Sequence, residues 1–202
     1  MSELLPISED QRDALQEICN VGTGVAGEAL AEFSGVFVEL PIPKVRYIES
    51  QNVTDALAQL RGDDRVSGAI QSYSTGEFCS YSLVVITETG IDDLAKQLSV
   101  ACETPEQRAQ IVMRLNNTIT ESCIPVIQEQ LELPSMQASA AELIGQNVLL
   151  NELYAPQLAQ QKKLLSVEIN YHLEGHPFNC DLLLLIADNA IESLASSIDA
   201  VL

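Results

Sequence analysis

The chain has 202 residues, is 47% hydrophobic and carries a formal net charge of −19. That length suits one domain, or two small intimately packed halves, with enough apolar residues for a core. The charge argues against nucleic acid or an anionic membrane surface as a partner.

The longest apolar runs, at 82–86 and 182–187, are strand-sized and fall short of the roughly 18 residues of a membrane span. Residues 1–5 lack the basic and apolar regions of a secretory signal. The cysteines Cys19, Cys79, Cys102, Cys123 and Cys180 form no C-x-x-C pair, and His172 and His176 are the only histidines. A zinc site is not expected. Reduced, buried thiols of a cytoplasmic protein are. No Ser-His-Asp, P-loop or Rossmann pattern is present.

In chain order, residues 11–33 read as one long helix. Ser8 caps it, with Gln11 closing a capping box, and Gly35 ends it. Measured from Asp13 at 100° per residue, Glu17 falls at about 40° and Asn20 at about −20°. Gly24 and Gly27, at about 20° and −40°, share that polar face. Ile18, Val21, Val25, Ala29 and Phe33 fall on the other side and are expected to pack inward. Each glycine costs roughly 1 kcal/mol against alanine in a helix interior. Gly22 points inward, where close packing accounts for it. Gly24 and Gly27 are expected outward, where a bare strip beside a Glu and an Asn lets something large come close.

A strand is expected at 36–39, limited by Pro41 and Pro43 to an edge or a turn approach. Residues 45–48 continue extended, 53–60 read as a short amphipathic helix, and 61–64 as a turn. A hairpin follows, 66–74 and Phe78–Thr87 around Thr75-Gly76-Glu77. A helix spans 91–100. Thr104 and Pro105 start another long helix that reaches about residue 131, with Pro125 expected to kink it. Residues 136–144 read in part as a strand and 147–160 as helix or irregular structure. Residues 164–172 and 178–187 form a second hairpin, and 190–201 a closing helix.

This order repeats: long helix, extended strand, short helix, hairpin, helix. At an offset of 100, Phe78, Leu83, Ile86 and Ala95 match Phe178, Leu183, Ile186 and Ala195; at 104, Ile7, Glu17 and Cys19 match Ile111, Glu121 and Cys123. The reading is an internal duplication, about 7–100 and 105–202, within a single domain covering 1–202 and paired about a pseudo-two-fold axis.

Asp13-x3-Glu17-x2-Asn20, with Pro43 after 22 more residues, resembles the signature of the CheC/CheX/FliY phosphatases of bacterial chemotaxis. The run from Glu17 through Gly24 to Ala26 also resembles that family's E-I-x-N-[IV]-G-x-G-x-A. The resemblance implies an α/β (α+β) CheC-like fold: two pseudo-two-fold related halves, each a long helix plus strands, forming one sheet packed against helices.

It further implies a phosphatase that hydrolyses the aspartyl phosphate of a CheY-like response regulator in two-component signalling. Asn20 would orient the attacking water, and Glu17 would dock on the regulator's active-site lysine. The protein would need no cofactor of its own, because the regulator supplies Mg²⁺. Asp13, Pro43, Gly24 and Gly27 would support the site; Asp13 also reads as simple favourable charge near a helix N-terminus. The second helix keeps Asn117-x3-Glu121 but has Ile124 where the catalytic Asn belongs, so a degenerate, inactive second site is expected.

The chemistry is consistent on its own terms. Aspartyl phosphate is already activated, and an amide can both donate and accept while it positions water. The alternative is a non-catalytic adaptor for a response regulator or a CheD-like deamidase. A flagellar-switch role, as in FliY, is disfavoured because such chains carry extra segments and this sequence ends at Leu202. The resemblance implies a monomer, as in CheC-type chains, or a homodimer, as in CheX-type chains.

Overall fold

A computed structural model of the chain describes residues 6–40, 42–57, 65–75 and 78–202. Helix α1 (Glu9–Ser34) begins at its capping box: Gln11 N–H donates to Ser8 Oγ, and Ser8 N–H donates to Gln11 Oε1. It ends at Gly35, whose φ of 73° is the left-handed region that favours glycine. Helix α3 (Pro105–Gln130) uses the same device, with Thr104 and Gln107 forming the box and Pro105 in its first turn. Pro125 lies inside α3, which continues to Gln130.

The strands are β1 (Val38–Glu39), β2 (Lys44–Glu49), β3 (Arg65–Thr75), β4 (Phe78–Thr87), β5 (Gln137–Ala138), β6 (Glu142–Leu149), β7 (Lys163–Leu173) and β8 (Asn179–Ala187). They form one antiparallel sheet in the order β1-β7-β8-β4-β3-β5, with β2 also on β7 and β6 also on β3. Each hairpin is followed by a helix, α2 (Glu88–Leu98) or α4 (Ile191–Val201). The two expected halves are therefore interlocked: β1 and β2 of the first pair with β7 of the second, and β5 and β6 pair with β3.

Period-two alternation divides the sheet into two faces. Val84, Ile86, Leu182 and Leu184 join α1 and α3 in one core. Leu83, Val85, Leu183 and Leu185 face a second core, closed by Val53, Leu57, Leu150 and Leu158.

The expected helix at 53–60 differs. Its described part is a 3₁₀ segment, Ser50–Ala56, with a kink at Asn52. The turn expected at 61–64 and the hairpin tip at 76–77 lie outside the described residues. The strand expected from 36 shortens to β1, and β2 starts only after Pro43, which has no N–H for the ladder.

Polar groups interrupt the second face, among them the carboxyl of Asp181. Asp181 is 4% exposed on β8. It accepts from Asn170 Nδ2, and its other oxygen has no hydrogen-bond partner among the described residues. Burial pushes its pKa up to about 6, against the pull of the Asn170 hydrogen bond. A carboxyl whose folded pKa is raised contributes most stability when protonated, and loses it as pH rises from about 3.9 through about 6. Wild type is therefore expected to lose about 1–2 kcal/mol between pH 5 and pH 7.5 relative to Asp181→Asn, read from urea unfolding at both values.

Candidate functional site

The outward face of α1 depends on how α1 meets α3. A Cβ at Gly22 would lie 2.6 Å from Ile127 Cγ1 and 3.1 Å from the Cys123 carbonyl. The expected close approach is thus present. Further along, the Arg114 guanidinium of α3 lies 5.1 Å from the ring centroid of Phe33 near the end of α1. The helices therefore run antiparallel. Leu15, Ile18, Cys19, Gly22, Thr23, Ala26 and Leu30 of α1 are buried.

This burial corrects the helical phase. Val21 and Val25, expected to pack inward, are exposed. The inward side is centred on Leu15, Cys19 and Ala26, because α1 beds onto both α3 and the sheet. The valines sit at the outer edge of a face that neither covers.

Asp13, Glu17 and Asn20 are exposed, as their spacing implied. Asp13 is engaged by its neighbour: Arg12 donates to Asp13 Oδ1 from Nε at 3.0 Å and from Nη2 at 2.7 Å. The side chains of Glu17 and Asn20 have no partner among the described residues. They stand one turn apart, with their hydrogen-bonding capacity facing solvent. Gly24 has no atom within 4 Å of a built Cβ, so the bare strip is present there.

Gly27 is different. It is buried, and its Cβ would fall 2.4 Å from Leu40 Cδ2. The expectation of an outward Gly27 is corrected, because the segment leading to β2 lies against it. The same segment is held again where Gln16 Nε2 donates to the Pro43 carbonyl at 2.8 Å. Leu40 meets the helix at Gly27 and Pro43 meets it at Gln16, one on each side of Asn20 along α1. Pro43 is buried and forms the wall of that flank.

The backbone beneath Asn20 is also fastened. Thr23 Oγ1 donates to the Asn20 carbonyl at 3.2 Å, and the buried Tyr171 hydroxyl of β7 donates to the Thr23 carbonyl at 3.4 Å. Gln16, Thr23 and Leu40 were not found by sequence reasoning. For Gln16 a signal existed, since it precedes Asn20 by one turn on the flank that meets the strap.

The second helix places its residues otherwise than expected. Adding about 97 to the buried residues Leu15, Ile18, Cys19, Gly22, Thr23 and Ala26 gives Val112, Leu115, Asn116, Ile119, Thr120 and Cys123, all buried in α3. The capping boxes agree to within one residue. In this register Asn117 occupies the place of Asn20, and Arg114 that of Glu17. The degenerate pair Glu121 and Ile124 is therefore not the counterpart. Glu121 is exposed, and Ile124 packs against the core. Both true counterparts are engaged: Arg114 lies over Phe33, and Asn117 Oδ1 accepts from Asn116 Nδ2 at 3.2 Å.

No group of three or more His, Cys, Asp or Glu among the described residues could hold a metal ion. No described helix is long and apolar enough to cross a membrane.

No family model matches the chain, and no curated protein matches it in sequence. Solved structures do. FliY of Thermotoga maritima is 16% identical with a TM-score of 0.71, covering 98% of this chain and 100% of that one. FliM in the FliM–SpeE complex from H. pylori is 12% identical with a TM-score of 0.64, over 96% of this chain and 97% of that one. A chemotaxis protein CheX from Desulfovibrio desulfuricans is 12% identical with a TM-score of 0.56, over 84% of this chain and 99% of that one. The fold is that of the CheC/CheX/FliY family. The FliY chain is matched over its whole length, so chain length does not separate this protein from it.

The two glycines that face opposite ways make opposite predictions. Gly24→Ala is expected to raise stability by up to about 1 kcal/mol, because it fills open space in a helix interior. Gly22→Val is expected to lower it by about 1–3 kcal/mol through forced separation of α1 and α3. Urea midpoints at unchanged slope distinguish the two.

Proposed function

We propose that the protein is a phosphatase acting on the aspartyl phosphate of a CheY-like response regulator in chemotaxis or two-component signalling. The observation that carries this reading is the pair Glu17 and Asn20. The two are exposed one turn apart on a rigid helix, without a side-chain partner among the described residues, beside the open Gly24 and Pro43.

The chemistry needs little more than this. The Asn20 amide oxygen accepts a hydrogen bond from a water and its N–H donates one to a phosphoryl oxygen, which holds the water in line with phosphorus. As the water oxygen bonds to phosphorus, the bond from phosphorus to the aspartyl oxygen breaks. Inorganic phosphate and a carboxylate leave, and the water's proton passes to phosphate or solvent. A carboxylate is a good leaving group, so no strong general base is required. Glu17 docks the helix through an ion pair with the regulator's lysine. Mg²⁺ would be held by the regulator's own residues and would supply charge neutralisation at the phosphoryl group, so none is required of this chain. Asp13, held by Arg12, lies at the rim.

Helix α3 presents no such pair, so one site per chain acts, with the protein in the cytoplasm as a monomer or a homodimer. That single site also favours a second reading: a non-catalytic module that docks a response regulator or a CheD-like deamidase. The two readings part at Asn20. Decay of a phosphorylated CheY-type regulator is expected to accelerate with wild type. Asn20→Ala is expected to lose about a hundredfold of that acceleration while it still binds the regulator. Acceleration undiminished in Asn20→Ala would remove the assigned mechanism, and no acceleration by wild type would leave the adaptor.

A further inference from the structure

The outward face of α1 has two apolar banks. Val21 and Val25 are 49% and 39% exposed on one side. Leu40 and Ile42, on the strap beside the helix, are 48% and 77% exposed on the other. Around the helix Gly24 falls between the banks, and it presents no side chain. The result is a shallow trough with a glycine floor, running from the Asn20–Glu17 pair towards the C-terminal half of α1.

The banks are held in place. Leu40 lies against Gly27, and Pro43, the neighbour of Ile42, accepts a hydrogen bond from Gln16. Val21 and Val25 contribute nothing to either core cluster, and valine is a weaker helix former than the glutamates that share this face.

The occupant follows from charge. Asp13, Glu17, Glu28 and Glu32 are exposed on the same outward face. A second copy docked two-fold on it would bring these carboxylates against themselves, in a chain of net charge −19. A regulator that places a cationic group on Glu17 offsets that repulsion at the centre of the face. We infer that the Gly24 trough, between Val21/Val25 and Leu40/Ile42, seats an apolar side chain beside the active site of the phosphorylated response regulator. This rests on the proposed phosphatase reading and adds the surface that provides affinity.

The test is the double variant Val25→Ser/Ile42→Ser. Both positions are exposed, and circular dichroism and a urea midpoint check its fold. The probe is a CheY-type regulator from the same genome, phosphorylated with acetyl phosphate for kinetics and beryllofluoride-activated for binding. The variant is expected to raise KM and Kd about tenfold, the size of one good interface contact, with kcat within twofold. Asn20→Ala shows the converse, a lost kcat at unchanged Kd. If wild type binds the activated regulator without hastening its dephosphorylation, and the variant loses that binding, the docking surface stands and the phosphatase reading falls. Unchanged KM and Kd in a folded variant overturn the docking surface alone. A wild-type dimer in sedimentation that the variant converts to monomer assigns the trough to a second copy and also overturns it.

Discussion

The approach of α1 to α3 at Gly22 decides how the rest of the site is presented. With no side chain at that position, Ile127 and the Cys123 carbonyl come within contact of the α1 backbone. The two long helices then cover one face of the sheet as a pair, over a core of Leu15, Cys19, Ile119 and Cys123. A helix fixed on one side by a neighbour and below by a sheet has a single remaining face. Glu17, Asn20 and Gly24 occupy it because Gly22, Leu15 and Ala26 occupy the other. A bulkier contact at 22 would separate the helices and rotate the exposed arc, since close-packed interiors do not absorb such a change without movement elsewhere.

Interlocking of the halves then brings distant sequence to that face. Strands β1 and β2 follow α1 in the chain, but they pair with β7 from the other half. Between them, Leu40 rests on α1 at Gly27 and Pro43 accepts a hydrogen bond from Gln16. Tyr171, also on β7, reaches the α1 backbone from below. The surroundings of Asn20 therefore come from residues more than a hundred positions apart. The interval from Asn20 to Pro43 has a physical origin: it is the length of chain needed to finish α1, turn at Gly35, lay down β1 and return along the helix.

Local rules explain why much of this was legible. Capping boxes, the glycine C-cap and the hairpins are short-range chemistry, and the elements begin and end close to where those residues place them. Glu17, Asn20 and Gly24 lie on the outward face by helical geometry alone. What escaped was set by tertiary contact. Val21 and Val25 are apolar, so a wheel assigns them inward. Only the position of α3 shows that the buried arc is already filled. Gly27 shares the polar arc, yet Leu40 covers it. The register of the second helix was misread because chance identities at an offset of 104 matched Glu17 to Glu121. The capping residues and the buried positions instead agree at 96 to 97.

That corrected register shows what separates two helices built on one plan. On α1, neither the carboxylate nor the amide has a partner among the described residues. On α3, the corresponding guanidinium lies over Phe33, a cation–π contact of about 0.5–1 kcal/mol at an exposed site that ties the end of α1 to α3. The corresponding amide oxygen is occupied by Asn116. Asn116 is itself fully buried, with its own side-chain oxygen unpartnered among the described residues, so its amide N–H has strong reason to hold on to Asn117. Each of these contacts costs α3 a group that could otherwise reach outward. The second helix thus fastens and aligns the first, and on the first the side chains of Glu17 and Asn20 have no partner among the described residues. An unsatisfied amide on a rigid exposed helix is stable only because water satisfies it, and that same water is what the proposed chemistry requires it to hold.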